Sequence, residues 1–399
     1  MRLALNAAFL ARPLTGSGRY VHHLVLELGR LDPDLDLRCF GQAGSPPAGS
    51  LPTELGWRAL GSPFVGGPLG RLGARAEDLS KVWFEQLALP LAARAERREL
   101  LHYPYFAAPL ASAIPVAVTV HDLIPVIDSR YRTSALFRLY VALAVAGTRR
   151  ARLILTDSVA SRADVIGRLG VAEERVRVVY LAADERFAPT VDAAELAAFR
   201  ARLGLPDKYL LYLGGHDYRK NVIGLLEAFA LAWGQGLRLP LVVAGRLPKP
   251  GPLFPDLPGA VERLGLRGQV LFPGPGDDAD TPRLYQAATA FVFPSTYEGF
   301  GLPPLEAMAC GTPVVCSSAS SLPEVVGDAA ISFEPTDCLA LATALLRVAT
   351  DAELRADLRE RGLARAAQFS WRKCAAETLA AYREVIPNST RQGSCPAES

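Results

Sequence analysis

Lysine is scarce in this chain. Lys81, Lys208, Lys220, Lys249 and Lys373 are the only five, and arginine supplies the remaining positive charge. With 43 basic residues against 41 acidic ones the net charge is +2, so no nucleic-acid partner is implied. The six cysteines, Cys39, Cys310, Cys316, Cys338, Cys374 and Cys395, include no Cys-x2-Cys pair. That spacing fits neither a zinc site nor a disulfide framework, and reduced core thiols are expected. No apolar run approaches the ~18 residues of a spanning helix. Met1 and Arg2 lead into a strand and a Gly-rich turn rather than a signal-peptide stretch, which predicts a cytoplasmic protein. No Gly-x-Ser-x-Gly elbow is present, so the nucleophile arrangement of the α/β hydrolases is excluded.

What is present is a long alternation of short apolar β-type runs with helical patterns. A chain of 399 residues, half of them hydrophobic, divides naturally into two α/β domains with buried parallel sheets. Leu3–Ala7 reads as a strand, followed by the loop Thr15-Gly16-Ser17-Gly18-Arg19 and a helix from Tyr20 to Leu31, the first unit of a Rossmann-like domain. Residues Gly41 to Gly73 lack periodicity and read as surface loops. A helix over Asp78–Glu99 and strands Leu100–Tyr103, Val116–Val120 and Leu153–Thr156 follow. Tyr209–Leu213, Leu241–Ala244, Gln269–Phe272, Ala290–Pro294 and Val314–Cys316 form a second sheet. The helix Ser134–Arg150, apolar and edged by arginines, reads first as an internal helix with a solvated rim, and otherwise allows a peripheral membrane contact through the first domain.

The richest stretch is Phe293 to Val315, FPSTYEGFGLPPLEAMACGTPVV. It reads as strand, loop, helix from Pro303 to Ala309, turn and strand, with Glu298 and Glu306 on either side of the Gly299-Phe300-Gly301-Leu302 turn. A Gly-rich loop feeding a helix start exposes backbone N–H groups suited to phosphate or sugar hydroxyls. The plainer reading makes Ser295 and Glu298 a capping box and Glu306 a solvated helix residue. A second loop, Gly214-Gly215-His216-Asp217-Tyr218-Arg219-Lys220-Asn221, leaves strand Tyr209–Leu213 with Asn221 expected as an N-cap. Its cations stand where a diphosphate would be held. A solvated basic turn is the alternative, as a plain tight turn is for Gly16 and Gly18. His121-Asp122 leaves strand Val116–Val120 at the same kind of edge.

Asp32-Pro33-Asp34 falls at an amino edge, Asp278-Ala279-Asp280 reads as a capping loop, and the side chains of His22 and His23 diverge on their helix. No metal site is expected.

The Glu298-x7-Glu306 pattern resembles the donor-binding signature of the family 4 glycosyltransferases, and Gly214-Gly215 with Arg219-Lys220-Asn221 resembles their diphosphate motif. The resemblance implies a GT-B architecture over essentially the whole chain, two Rossmann-like domains facing a central cleft. Residues 1–183 would form the acceptor domain and 184–370 the donor domain. A helix over 371–386 would cross back to the first domain, ahead of a disordered tail, 387–399. It implies a retaining enzyme using a nucleotide sugar and no cofactor. Arg219 and Lys220 would hold the phosphates beside Gly214, Glu306 the ribose, and Glu298 with the backbone of Gly299, Phe300, Gly301 and Leu302 the sugar. From the first domain Gly16, Gly18, His102 and His121 would complete the site, with His102, Tyr103 and Asp122 on the acceptor side. In this family a histidine matching His121 hydrogen-bonds a donor hydroxyl while its carbonyl faces the anomeric carbon.

HDLIP at 121–125, WFEQLALPL at 83–91 and LHYPYFAAP at 101–109 resemble the mannosyltransferase-like branch, which implies GDP-mannose. The acceptor would be a glycan, a lipid-linked sugar or a small molecule. A UDP-hexose donor, a sugar phosphorylase or epimerase, and a non-catalytic scaffold are the alternatives.

Overall fold

Two parallel sheets organise the chain. The computed structural model describes residues 1–12, 15–42, 56–64, 74–132, 134–189, 192–274 and 276–386. The first sheet holds β1 (Arg2–Asn6), β2 (Asp36–Gln42), β3 (Gly56–Leu60), β4 (Leu100–Tyr103), β5 (Val116–Val120), β6 (Leu153–Thr156) and β7 (Val176–Val178), in the order β3-β2-β1-β4-β5-β6-β7. The second holds β8 (Leu210–Leu213), β9 (Leu241–Ala244), β10 (Val270–Leu271), β11 (Ala290–Phe293), β12 (Val314–Ser317) and β13 (Ala330–Phe333), in the order β10-β9-β8-β11-β12-β13. Leu5 lies opposite Cys39 on β2 and His102 on β4, and Phe291 opposite Leu211 and Val314.

In each sheet the strand order reverses beside the first strand, between β1 and β4 and between β8 and β11. Loops leaving neighbouring strands there diverge to opposite faces and open a crevice at the carboxyl edge. The segments that follow β1, β8 and β11 carry Gly16, at the start of the Gly16–Leu31 helix, Gly214 and Glu298. The topology therefore gathers three of the four motifs before any side chain is considered.

The chain passes from β7 to β8 by way of the Ala193–Leu203 helix, and it returns at the end. The Trp371–Val385 helix starts at Ser370, whose hydroxyl accepts from Lys373 N, and packs on the Gly16–Leu31 helix of the first domain. Its buried stripe, Trp371, Ala375, Leu379 and Tyr382, follows helical spacing. One apolar cluster runs from β1 through this stripe into the second sheet, and a smaller one fills the other face of the first sheet.

Four local expectations change. Part of the region read as surface loop, Gly56–Leu60, is an edge strand paired with β2, and Trp57 covers Gly41; the flanking 43–55 and 65–73 lie outside the described residues, as do 387–399 with Cys395. The helix expected over 78–99 is three pieces, Ala74–Trp83, a π-helical turn Phe84–Ala88 and Leu89–Ala95. Pro90 lacks an N–H and crowds the preceding turn, and the widened turn sits just ahead of it. β13 was not anticipated. Asn221 takes the N-cap position but makes no side-chain capping bond: it adopts φ 54° and its side-chain amide donates to Pro335 O at 2.9 Å.

Candidate active site

The loop after β11 and the loop after β8 meet at Glu298. Its Oε1 lies 2.6 Å from Lys220 Nζ and its Oε2 2.9 Å from Arg219 Nη1, which also donates to Tyr297 O at 2.7 Å. Burial alone would push the Glu298 carboxyl up. Lys220 and Arg219 outweigh that and hold it below its ordinary value, so it stands as a carboxylate. These contacts replace the capping-box reading, since the helix here begins only at Leu302. They also remove the solvated-turn reading, because the Arg219 and Lys220 side chains are only 14% and 11% exposed.

Glu306, on the Leu302–Ala309 helix, is buried at the other end of the same cavity. Its Oε1 accepts from Arg19 Nη1 at 2.7 Å, across the cleft, and its Oε2 from Tyr285 OH at 3.2 Å. Burial pushes this carboxyl up to about 7 against the pull of Arg19, Tyr285 and Arg186. Two prolines, Pro303 and Pro304, follow Leu302 and contribute no N–H. The backbone donors at this helix start are therefore those of Gly299, Phe300, Gly301 and Leu302, and none of them meets a protein acceptor among the described residues.

The cavity, of about 510 Å³, is lined by Gly16, His121, Asp122, Gly214, Lys220 and the 298–302 segment with Glu306. The volume suits a ligand of nucleotide-sugar size. Arg219 is not part of its lining and stands behind Glu298.

His121 lines the cavity but offers it no free nitrogen. Nδ1 lies 2.7 Å from Asp157 Oδ2, and Nε2 donates to Pro104 O at 3.1 Å. Burial would lower its pKa, yet Asp157, then Asp122 and the Pro104 carbonyl, raise it above the ordinary value, which favours the imidazolium. The His121 carbonyl is turned into the domain contact, against Gly299 and 3.2 Å from Ser161 Oγ. Neither the ring nor the carbonyl is arranged as the resemblance implied.

Three further assignments are corrected. His102 is fully buried, with Nε2 at 2.9 Å from Thr119 Oγ1 and Nδ1 at 2.7 Å from Tyr382 OH; burial, then His121, lowers its pKa to about 3. Tyr103 is equally buried and donates to Glu85 O at 2.6 Å. Both lie on β4, a central parallel strand covered on both faces, so alternation along it leads into the core and not to an acceptor. Gly18 does not approach a ligand: its N–H donates to Thr15 Oγ1, and a Cβ there would stand 2.0 Å from Arg12 O. Gly18→Ala is expected to destabilise the fold by about 1–3 kcal/mol through overpacking, read as a lowered melting temperature, with turnover per folded molecule retained.

Asp122 Oδ1 accepts from Ile124 N at 2.9 Å and the residue lines the cavity. Asp278 is taken up by Arg19 (2.8 Å) and Arg186, and Asp280 by Arg202 (2.6 Å). Arg19, Asp157 and Tyr285 were missed. Arg19 stands next to Gly18 and Asp157 just past β6, so the carboxyl-edge rule would have flagged both.

Two Rossmann-like domains closing on a cation–carboxylate array define the GT-B architecture. Residues 14–187 match the family described as Glycosyltransferase Family 4 and 197–365 that described as Glycosyl transferases group 1. The chain belongs to this glycosyltransferase family. It is 40% identical over 234 residues to O-antigen chain mannosyltransferase B of Escherichia coli, covering 58% of this chain and 61% of that one. It is 34% identical over 283 residues to the serotype-specific mannosyltransferase WbdA of Escherichia coli, 70% of this chain but only 34% of that protein. The chain thus spans less than two thirds of either relative. In fold it is similar to sucrose-phosphate synthase from Thermosynechococcus elongatus, with a TM-score of 0.70 at 23% identity over 96% of this chain and 98% of that one.

Proposed function

We propose that the protein is a retaining hexosyltransferase that moves mannose from GDP-mannose to a glycan, lipid-linked or small-molecule acceptor. The observation that carries this reading is the convergence of Lys220, Glu298, the free N–H groups of 299–302 and Glu306 on one cavity. The mannosyltransferase names of the two relatives support the choice of sugar. Lys220 has three N–H donors, so it can keep Glu298 and still reach a phosphate oxygen. Arg219, whose Nη1 reaches both Glu298 and Tyr297 O, acts by holding Glu298. Glu298 then orients the sugar hydroxyls and Glu306 accepts from the ribose.

Both oxygens of Glu298 face cations, which suits a hydrogen-bonding carboxylate better than a covalent nucleophile. The acceptor oxygen therefore attacks the anomeric carbon on the face the diphosphate leaves. The sugar–phosphate bond breaks as the new bond forms, and the acceptor proton passes to the departing phosphate. Lys220 stabilises the charge that develops there. His121 contributes a fixed charge in the cavity wall.

No described helix is long and apolar enough to cross a membrane. Leu87 and Leu91, one helical turn apart, and Leu139 are exposed on the first domain and offer an apolar face to a lipid-linked acceptor at the cytoplasmic membrane.

Calorimetry with GDP-mannose, UDP-glucose and their bare diphosphates tests the donor, with GDP-mannose expected tightest, and an α-linked product tests retention. Consumption of donor by phosphate or water with no acceptor would favour a phosphorylase or epimerase instead. Turnover is expected to persist in excess EDTA. Loss on chelation with recovery on adding Mn²⁺ would overturn the metal-free mechanism.

A further inference from the structure

The Val159–Leu169 helix of the first domain begins just past β6, and its first turn lies against the second domain. Ser158, its N-cap, donates its hydroxyl to Gly299 O at 2.7 Å and accepts from Ser161 N at 2.9 Å. Ser161 Oγ lies 3.0 Å from the same carbonyl and 3.2 Å from His121 O. The next two amides, Val159 and Ala160, donate to the two oxygens of Glu324 from the second domain, at 2.8 and 3.0 Å. One turn further on, Asp164 accepts from Tyr297 OH at 2.8 Å.

The loop that carries Glu298 is thus pinned alternately from the two domains. Its own domain holds the Glu298 carbonyl through Ser320 (2.9 Å) and the Phe300 carbonyl through Ser321 (2.6 Å). Among the described residues, the carbonyl between them, Gly299 O, is held only from the first domain. In a trans peptide the C=O and the following N–H point opposite ways. Drawing Gly299 O into the first domain therefore aims the Phe300 N–H towards the cavity it lines. The approach is too close for any side chain at 299, where a Cβ would stand 1.9 Å from His121 O.

We infer that Ser158 and Ser161 are positioning residues that set the donor loop from the opposite domain, with Glu324 locking their helix turn in place. The Phe300 N–H then faces the sugar only while the two domains are together, which ties the donor geometry to closure of the cleft. The inference rests on the proposed donor site.

The test compares wild type with Ser158→Ala/Ser161→Ala and with Ser161→Thr, which keeps the hydroxyl. Calorimetry should show GDP affinity unchanged and GDP-mannose affinity reduced in the double variant. Its kcat should fall about 10- to 100-fold, the usual effect of a small misplacement of a reacting group, while Ser161→Thr stays close to wild type. Equal losses for GDP and GDP-mannose would mark general damage and overturn the assignment, as would an unchanged kcat. Amide hydrogen exchange across 296–305 needs no ligand. It should accelerate in the double variant by more than the loss of the Ser158 N-cap lowers global stability, and unaltered exchange overturns the clasp whatever the donor proves to be. Accelerated exchange in a protein that binds no nucleotide sugar would uphold the clasp and sink only the functional reading.

Discussion

Glu298→Ala is expected to lower stability and turnover together while sparing the bare nucleoside diphosphate. The carboxylate is the counter-charge of two largely buried cations, Lys220 and Arg219. Removing one partner of such a group typically costs about 3–5 kcal/mol, because the remaining charges stay desolvated. Thermal unfolding should therefore show a clear drop, which a pair on a solvated loop would not give. Glu298→Gln keeps shape and hydrogen-bonding oxygen and should recover part of that stability but little turnover. Lys220→Ala acts on the other ligand group: turnover should fall by about 2–4 kcal/mol of transition-state stabilisation, the scale of a lost oxyanion donor, and diphosphate affinity should fall with it. Wild-type turnover in Lys220→Ala would end the diphosphate assignment.

Glu306→Gln should weaken the bare diphosphate and the donor alike, by about 1.5–3 kcal/mol if two charged hydrogen bonds to the ribose are lost. The distinctive part is pH. The carboxyl titrates at about 7 in the fold against an ordinary 4.5. Since the ionised form accepts both hydroxyls, nucleotide affinity should rise as pH increases through about 7, and Glu306→Gln should flatten that profile. Stability runs the other way. A carboxyl whose pKa is raised by folding binds more protons folded than unfolded between 4.5 and about 7, so its contribution is fullest below 4.5 and declines as pH rises across that window. Arg19→Ala removes the chief pull holding the pKa down and should shift both profiles to higher pH.

What could be read before the structure was local. Strands β4, β5, β6 and β9 are short apolar runs covered on both faces, and their bounds coincide with the expected ones. Edge strands were harder: β3, GWRAL, is half exposed with an arginine in its middle, and β13, AISF, lies ahead of a turn at the other margin. The loops at 214–220 and 294–302 were legible because glycine, proline and charge concentrate there after apolar strands. Their partners were not. Arg19 meets Glu306 across 287 residues, Ser158 meets Gly299 across 141, and Val159 meets Glu324 across 165. Nothing in a local pattern encodes such pairs. The same limit explains His102 and Tyr103, which the resemblance placed in the site, whereas Tyr382 and Glu85 close over them.

The bond between Tyr382 and His102 joins residues 280 positions apart and also constrains the order of synthesis. His102 is a buried polar ring on a central strand, and one of its nitrogens stays unmatched until the crossing helix arrives. During translation the first domain must therefore wait, its Gly16–Leu31 helix uncovered on the side where Trp371 and Leu379 will lie, until nearly the whole second domain has left the ribosome. A chain stopped at residue 370 would carry every cavity-lining residue and still lack a finished first domain.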